Sequence, residues 1–384
     1  MLYKFNQNYS KFLKMIFNKI HWLGVGLSSP PGVLYLHEKG HDLEVWNRSV
    51  DKASKLLNNR LTINYLNFDD IKKNLKANDI IVSMLPASMH YDVAKLAIYK
   101  KCHLITSSYF DNKYAELETQ FIKNNCLFLN ETGLDPGIDH LLSHKLFHQF
   151  KKSISPQLVD EISILSMCGG FPHIPNKFKY KFSWSPLGVL RALNTPCKFI
   201  KNYKEETSDK AFRQISKMNF NGEEFEIYPN RDSTPYLKEY LSKEYIDKVI
   251  NFQRGTIRLK GWSKEWNKIF LKLDENSNLE KISSELWDKN KYQTNEKDRI
   301  LLFVRFFAKY QNKIVYDKTL YIDESRNIEN SAMSQCVSLT MVSVIDCLIK
   351  NNTNPGISRI FNEINRVDFI LDKLNNFGIK IKEI

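Results

Sequence analysis

Residues 20–26, IHWLGVG, decide the fold. An apolar run ends in Gly24 and Gly26 and passes at once into PGVLYLHEKG (31–40), where apolar residues recur at helical spacing. A strand that breaks on glycines and feeds a helix is the opening unit of a nucleotide-binding βαβ arrangement. The pattern then repeats. LEVWN (43–47), a helix from about Asp51, TINYLNF (62–68), DIIVSMLP (79–86) and the helix MHYDVAKLAIYKK (89–101) alternate buried with amphipathic runs. HLITSSY (103–109), the helix DNKYAELETQFIKNN (111–125) and CLFLN (126–130) continue the series. Such alternation predicts an α/β domain, a Rossmann-type doubly wound parallel sheet, with ligands beyond the carboxyl ends of its strands.

After Asp139 the texture changes. The helical LLSHKLFHQF (141–150) is followed by strand-like EISILSMC (161–168), FEIYPN (225–230), GTIRLKGW (255–262) and a long run over 299–322. These predict a second, α+β substrate domain with a mostly antiparallel sheet. From Ser331 the chain turns helical again (SAMSQCVSLTMVSVIDCLI, then FILDKLNNFGI), and these helices are expected to return to the first domain. The resulting division is 1–18 as an N-terminal extension, 19–132 as the Rossmann domain, 133–330 as the substrate domain and 331–384 as the returning segment. Met15, just before the first strand, is an alternative start.

At 384 residues, 42% of them hydrophobic, the chain can bury two cores. Its net charge of +13 raises anionic partners. The lysines are scattered, with no arginine-rich arm or aromatic ladder, so no nucleic acid is expected. The apolar run 333–349 is interrupted by Ser, Thr, Gln and Asp and reads as a buried helix, so no membrane is expected either. Six cysteines show no CxxC spacing and read as free thiols in a reducing, cytoplasmic setting. The basic, aromatic N-terminus lacks an apolar core and a cleavage site, which argues against a secretory signal.

The turns carry the chemistry. Gly24 allows the tight turn, Gly26 lets the backbone approach a pyrophosphate, and Pro30 and Pro31 suit a first helical turn. Serine holds the third fingerprint position, residue 29, and Gly32 follows three residues late. At the end of the second strand stand Asn47, Arg48 and Ser49 in place of a carboxylate. Arginine and hydroxyl complement a 2′-phosphate, favouring NADP over NAD. Leu85, Pro86 and Ala87 should border the nicotinamide half, with Ser107, Ser108 and Tyr109 facing the reaction site. His140, His144 and His148 lie at i, i+4 spacing, but no Glu or Cys completes a zinc set, so no metal is expected.

Several long motifs, in order, carry a resemblance. MLPASMHYDVAKLAIYKKCHLITSSYFD (84–111), NETGLDPGIDH (130–140), MCGGFP (167–172), YKFSWSPLGVLRA (180–192), YPNRDSTPY (228–236) and RGTIRLKGW (254–262) resemble the saccharopine reductase family. That family includes the dehydrogenase half of bifunctional lysine-degrading enzymes. The resemblance runs from about Ile20 to the C-terminus and implies oxidation of saccharopine with NAD(P)+ to L-glutamate and 2-aminoadipate 6-semialdehyde, or the reverse. It implies Leu134, Asp135 and Pro136 at the nicotinamide, and Ser108, Tyr109, Cys168, Arg231 and Arg254 at saccharopine. The glycine fingerprint departs from the fungal form, and the segment between CGGFP and YKFSW is shorter. A homodimer is compatible with this picture.

The residues themselves agree with that chemistry. A substrate with three carboxylates and a secondary amine needs a cationic pocket, and Arg231, Arg254 and Arg258 supply planar forks for carboxylates. Asp135 reads equally as the general base or as a turn residue that caps the next helix. Asp139 and His140 read as helix-start and packing residues. Cys168 has no His–Asp partnership in sequence, against covalent catalysis. Two rival readings are a dehydrogenase for another amine–aldehyde conjugate, such as a carboxyspermidine, and a non-catalytic NADP-binding regulator.

Overall fold

The runs Ile20–Leu23, Ile80–Ser83 and His103–Thr106 are buried along their whole length. Strands without a solvent face belong inside a sheet covered on both sides. The computed structural model, which describes residues 15–351 and 353–384, places them so. Whether 1–14 form an extension concerns residues outside those described; Met15 is buried.

The described residues begin with six strands: β1 (Ile20–Leu23), β2 (Leu43–Asn47), β3 (Ile63–Tyr65), β4 (Ile80–Ser83), β5 (His103–Thr106) and β6 (Leu127–Leu129). They run parallel in the order β6-β5-β4-β1-β2-β3. The connecting helices are α1 (Pro30–Glu38), α2 (Val50–Leu56), α3 (Phe68–Asn74), α4 (His90–Lys100) and α5 (Glu118–Lys123). Chain order reverses between β1 and β4, which opens a crevice at their carboxyl ends. The helix expected over 111–125 begins as a 3-10 stretch, Asn112–Leu117, led by Asp111 accepting the Lys113 N–H.

Helix α6 (Ile138–Ser153) leads to a second sheet of β7 (Glu161–Pro172), β8 (Cys197–Lys201), β9 (Lys204–Ser208), β10 (Ser216–Phe220), β11 (Glu223–Pro229), β12 (Val249–Leu259), β13 (Lys297–Tyr310) and β14 (Lys313–Asn327). The order is β10-β11-β12-β7-β13-β14, with the β8–β9 hairpin attached to β12; only β12 and β7 pair in parallel. The sheet curls so far that Phe220 of β10 stacks on Phe303 of β13 at 4.5 Å, across three intervening strands.

Helices α7 (Pro186–Leu193), α8 (Leu237–Tyr240), α9 (Lys243–Ile246), α10 (Trp262–Asp274) and α11 (Leu279–Asn290) complete this half. The run 262–290 looks irregular in sequence because lysines and acids fill its outer face. Trp262, Trp266, Ile269, Phe270 and Leu273 nevertheless share one face of α10 and close on Phe182, Leu190 and Phe212.

The last elements are α12 (Ala332–Lys350), β15 (Gly356–Ser358), α13 (Ile364–Asn376) and β16 (Lys382–Glu383). β15 joins the first sheet beside β6, while β16 pairs with β14 of the second. α12 is long and apolar enough to cross a membrane by composition, but 78% of its apolar window is buried, where it packs on α1 and α13. The α1 contact depends on a missing side chain. The Gly32 N–H donates to Ser338 Oγ at 3.0 Å, and a Cβ on Gly32 would stand 2.8 Å from Ser338 Cβ and 3.0 Å from the Trp22 ring. Gly32→Ala should therefore cost about 1–3 kcal/mol by overpacking. Chemical denaturation would show a lowered midpoint; an unchanged midpoint would mean the two helices part without cost.

Candidate active site

The crevice between β1 and β4 has one phosphate-cradling wall. Gly24 has φ +93°, and a Cβ there would press on the Met84 carbonyl at 3.1 Å; a Cβ on Gly26 would meet nothing within 4 Å. Gly26 thus leaves open space for a close-lying ligand. Ser29, in the third fingerprint position, is buried and donates its hydroxyl to the Gly24 carbonyl at 3.2 Å. Asn47 braces this loop: its Oδ1 accepts the Val25 N–H at 2.9 Å and its Nδ2 donates to the Ser49 carbonyl. Its amide is therefore engaged. Arg48 and Ser49 are exposed, and among the described residues Arg48 makes no ion pair. Across the crevice, the Leu85 carbonyl accepts from His90 Nε2 at 2.9 Å. Burial lowers the His90 pKa to about 4, so the ring is a neutral donor that pins Leu85 and the exposed Pro86. An open glycine, a free arginine and a pinned opposing loop fit a dinucleotide with a phosphorylated ribose.

The second wall is the turn over residues 130–140. The Gly133 N–H donates to the Pro136 carbonyl at 2.9 Å, the Asp135–Pro136 peptide bond is cis, and Leu134 and Pro136 are buried. Asp135 Oδ1 accepts from the Tyr109 hydroxyl at 2.7 Å and from Arg254 Nη2 at 2.8 Å. Asp139 Oδ2 accepts from Nε and Nη2 of the same arginine at 3.1 and 2.6 Å, while its Oδ1 takes the Gly137 N–H at 2.7 Å. The helix start is thus held by Asp139, and Asp135 faces the cleft. Arg254 is 1% exposed, and only its Nη1 lacks a partner. The structure makes Arg254 first the partner of two aspartates, not a free fork for a ligand carboxylate.

The remaining expected residues gather around this pair. Asn230 Nδ2 donates to the Tyr109 hydroxyl at 3.0 Å, and the half-buried Arg231 guanidinium lies 4.7 Å over the Tyr109 ring with no ion pair among the described residues. Ser108 is half-buried next to Tyr109. Cys168 pairs with Thr256 in register, two positions along from the Ser166–Arg254 pair, and so shares their sheet face.

The electrostatics separate the two carboxylates. Burial, then the charge of Asp139, raises the Asp135 pKa against the pull of Arg254. Burial also acts on Asp139, but His140, Arg254 and the Gly137 N–H outweigh it and lower its pKa. Neighbouring carboxyls pushed apart in this way can divide acid and base duties. Burial and Asp135 raise Tyr109 well above an ordinary phenol, so it remains a donor. Burial followed by Asp135 raises Cys168 well above an ordinary thiol, which keeps it protonated and unfit as a nucleophile.

Known proteins place this arrangement. Residues 20–129 match the saccharopine dehydrogenase NADP binding domain, and residues 133–379 match the saccharopine dehydrogenase C-terminal domain. The chain belongs to the saccharopine dehydrogenase family. It is 36% identical over 252 residues to the saccharopine dehydrogenase [NADP(+), L-glutamate-forming] of Schizosaccharomyces pombe, covering 62% of this chain and 54% of that one. It is 34% identical over 263 residues to the mitochondrial alpha-aminoadipic semialdehyde synthase of Rattus norvegicus, covering 65% and 27%. The chain thus spans about half, or less, of the length of these curated relatives. In fold it resembles the apo saccharopine dehydrogenase (L-Glu forming) of Saccharomyces cerevisiae, with a TM-score of 0.78 at 23% identity over 96% of this chain and 99% of that one.

Behind the turn over residues 130–140 lies a layer that the sequence does not announce. Glu131 is fully buried with φ +60°. Its Oε1 accepts the Phe110 N–H at 2.8 Å and the Tyr236 hydroxyl at 2.9 Å, and its Oε2 lies 2.9 Å from His140 Nε2 and 3.2 Å from Arg359 Nε. His140 Nδ1 faces the Tyr240 hydroxyl at 2.5 Å, and Arg359 also pairs with Glu239. His140 is therefore a network member and more than packing. His144 sits edge-on to Tyr240 at 5.3 Å, and among the described residues no group of His, Cys, Asp and Glu could hold a metal. In sequence these partners stand up to 228 residues apart and share no period, so no local signal links them.

Burial alone would raise Glu131, but His140, Arg359 and the Phe110 N–H outweigh it and hold its pKa at about 2. A depressed carboxyl stabilises the fold above its ordinary pKa near 4.5, and this stability is lost as pH falls from there through about 2. Glu131→Gln should destabilise the protein at neutral pH by about 3–5 kcal/mol. Denaturant titrations at several pH values should also show a shallower acid loss than the parent. Parallel stability profiles for the two proteins would contradict the network.

Proposed function

We propose that this chain oxidises saccharopine with NADP+ and water to L-glutamate and 2-aminoadipate 6-semialdehyde, or runs the reverse condensation. The observation that carries the reading is Asp135, its pKa raised, held between Tyr109 and Arg254 at the mouth of a dinucleotide crevice. The names of the relatives that match both halves support it. Arg48 and Ser49 would take the 2′-phosphate, and Gly24, Gly26 and the start of α1 the pyrophosphate. Held there, NADP+ would supply the hydride acceptor for the lysine-derived carbon next to the secondary amine.

Asp135 takes the amine proton as the carbon–nitrogen single bond becomes a double bond. Water then adds, its oxygen to the carbon and its proton to the nitrogen. The carbon–nitrogen bond then breaks as protonated Asp135 gives its proton to the departing nitrogen and takes up the hydroxyl proton, leaving the aldehyde on one fragment and the amine of glutamate on the other. Tyr109 and Arg254 hold the Asp135 carboxylate in one orientation, so less is lost in aligning it during turnover. Arg231, over the Tyr109 ring and without an ion pair among the described residues, takes a carboxylate of the glutamate half. Six unpaired, buried cysteines support a reducing compartment, and we place the protein in the cytoplasm on that ground. A homodimer is part of the same proposal.

Asp135→Asn should lower kcat about 10²- to 10⁴-fold and abolish the ascending limb of the kcat/KM pH profile. In the parent that limb should lie above the ordinary aspartate range, as the raised pKa requires. A variant with the parent's limb would remove Asp135 from the proton path. Arg48→Ala should raise KM for NADP+ about 10- to 100-fold, the worth of a charged hydrogen bond, with NAD+ little affected. Equal changes for both cofactors would remove the 2′-phosphate from its reach.

A further inference from the structure

Farther along β12 lies a buried cation that has no ion pair among the described residues. Arg258 is 5% exposed, and among the described residues it forms no ion pair. Its Nη1 donates to the Ile257 carbonyl at 3.0 Å and its Nη2 to the Tyr228 hydroxyl at 2.7 Å; its Nε has no partner. Three rings enclose it: Tyr180 at 4.9 Å, Tyr228 at 5.4 Å and Trp262 at 5.4 Å. The Trp262 Nε1 is likewise buried without a partner. Glu226 faces Arg258 in register across β11 and β12, but its oxygens are engaged at the start of α10 by the Gly261 N–H at 3.0 Å and the Ser263 N–H at 2.7 Å.

We infer that Arg258 and Trp262 form the receptor for a carboxylate, which is the lysine-half carboxylate of saccharopine on the reading above. A buried charge without a counter-ion costs several kcal/mol, and orphaned buried donors are rare. Two such donors, the Arg258 Nε and the Trp262 Nε1, at a guanidinium without an ion pair among the described residues describe a missing planar anion. Position selects which one. Arg254 and Arg258 lie on the same face of β12, four residues and roughly 13 Å apart. Half-buried Thr256 lies between them, with Cys168 beside it on β7, so this floor leads from Asp135 to Arg258. In saccharopine, four carbons separate the reacting carbon from the lysine-half carboxylate, whereas one glutamate-half carboxylate lies a single carbon from the nitrogen. The short half suits Arg231, next to Tyr109, and the long half reaches toward Arg258.

The test uses the full chain with L-2-aminoadipate as a calorimetric probe, followed by reverse-direction kinetics. Arg258→Gln should weaken the probe at least tenfold and raise KM for the semialdehyde similarly, while KM for glutamate stays within twofold. Trp262→Phe, which keeps an aromatic ring and removes the N–H, should weaken the probe several-fold and covers the case of an unfolded arginine variant. No probe binding by the parent, or binding unchanged in both variants, overturns the receptor and leaves Arg258 as a hydrated structural cation. A rise in glutamate KM equal to that for the semialdehyde overturns the assignment to the lysine half. Failure of the saccharopine reading itself would appear differently, as a parent that binds the probe yet turns over no saccharopine.

Discussion

One guanidinium holds the two halves of this protein to a common purpose. Arg254 projects from β12 of the curled sheet and is shared by Asp135 and Asp139, which stand on the turn that leaves β6 of the Rossmann sheet. Tyr236 lies 4.3 Å from its Cζ, and Ser233 Oγ accepts its backbone N–H at 3.0 Å. A cation this deep is tolerable only with such partners. Two acids on one arginine also cannot have equal environments. Asp139 holds the larger share of the guanidinium and the Gly137 N–H as well, which leaves Asp135 the more basic carboxylate on the cleft side.

The rest of the architecture keeps that pair in register. Glu131 anchors the turn from beneath, and Arg359, just past β15, reaches it from the returning C-terminal segment. That segment can lie where it does because Gly32 lets α12 approach α1. A position that looks like a late member of the phosphate fingerprint therefore serves helix packing. The fingerprint's third place is filled by a serine bonded to its own turn. The crevice between β1 and β4 and the face of β12 then meet at Tyr109, which touches Asp135, Asn230 and Arg231 from the two halves.

The features legible in the sequence were those with a period or a motif. Short buried runs between amphipathic ones disclose the parallel sheet, and Gly24, Gly26 and Arg48 stand at the carboxyl ends of its first two strands. Asp135, Tyr109, Arg231 and Arg254 were visible through long family motifs, and the structure brings them within one cluster. Their pairing was not visible: nothing in RGTIRLKGW says that its first arginine is taken by two aspartates more than a hundred residues earlier. Glu131 was hidden for the same reason, as a loop acid whose partners are remote. Helix α10 was hidden differently, because its surface lysines obscure the spacing of Trp262, Trp266 and Leu273.

The most direct test of the central claim is reduction of NADP+ by the purified full chain, followed at the reduced-nicotinamide absorbance band with saccharopine as the sole substrate. Saccharopine-dependent reduction, with glutamate formed in equal amount, is the expected result. A folded protein that binds NADP+ yet shows no change with saccharopine, while another amine–aldehyde conjugate such as a carboxyspermidine does drive reduction, would contradict it.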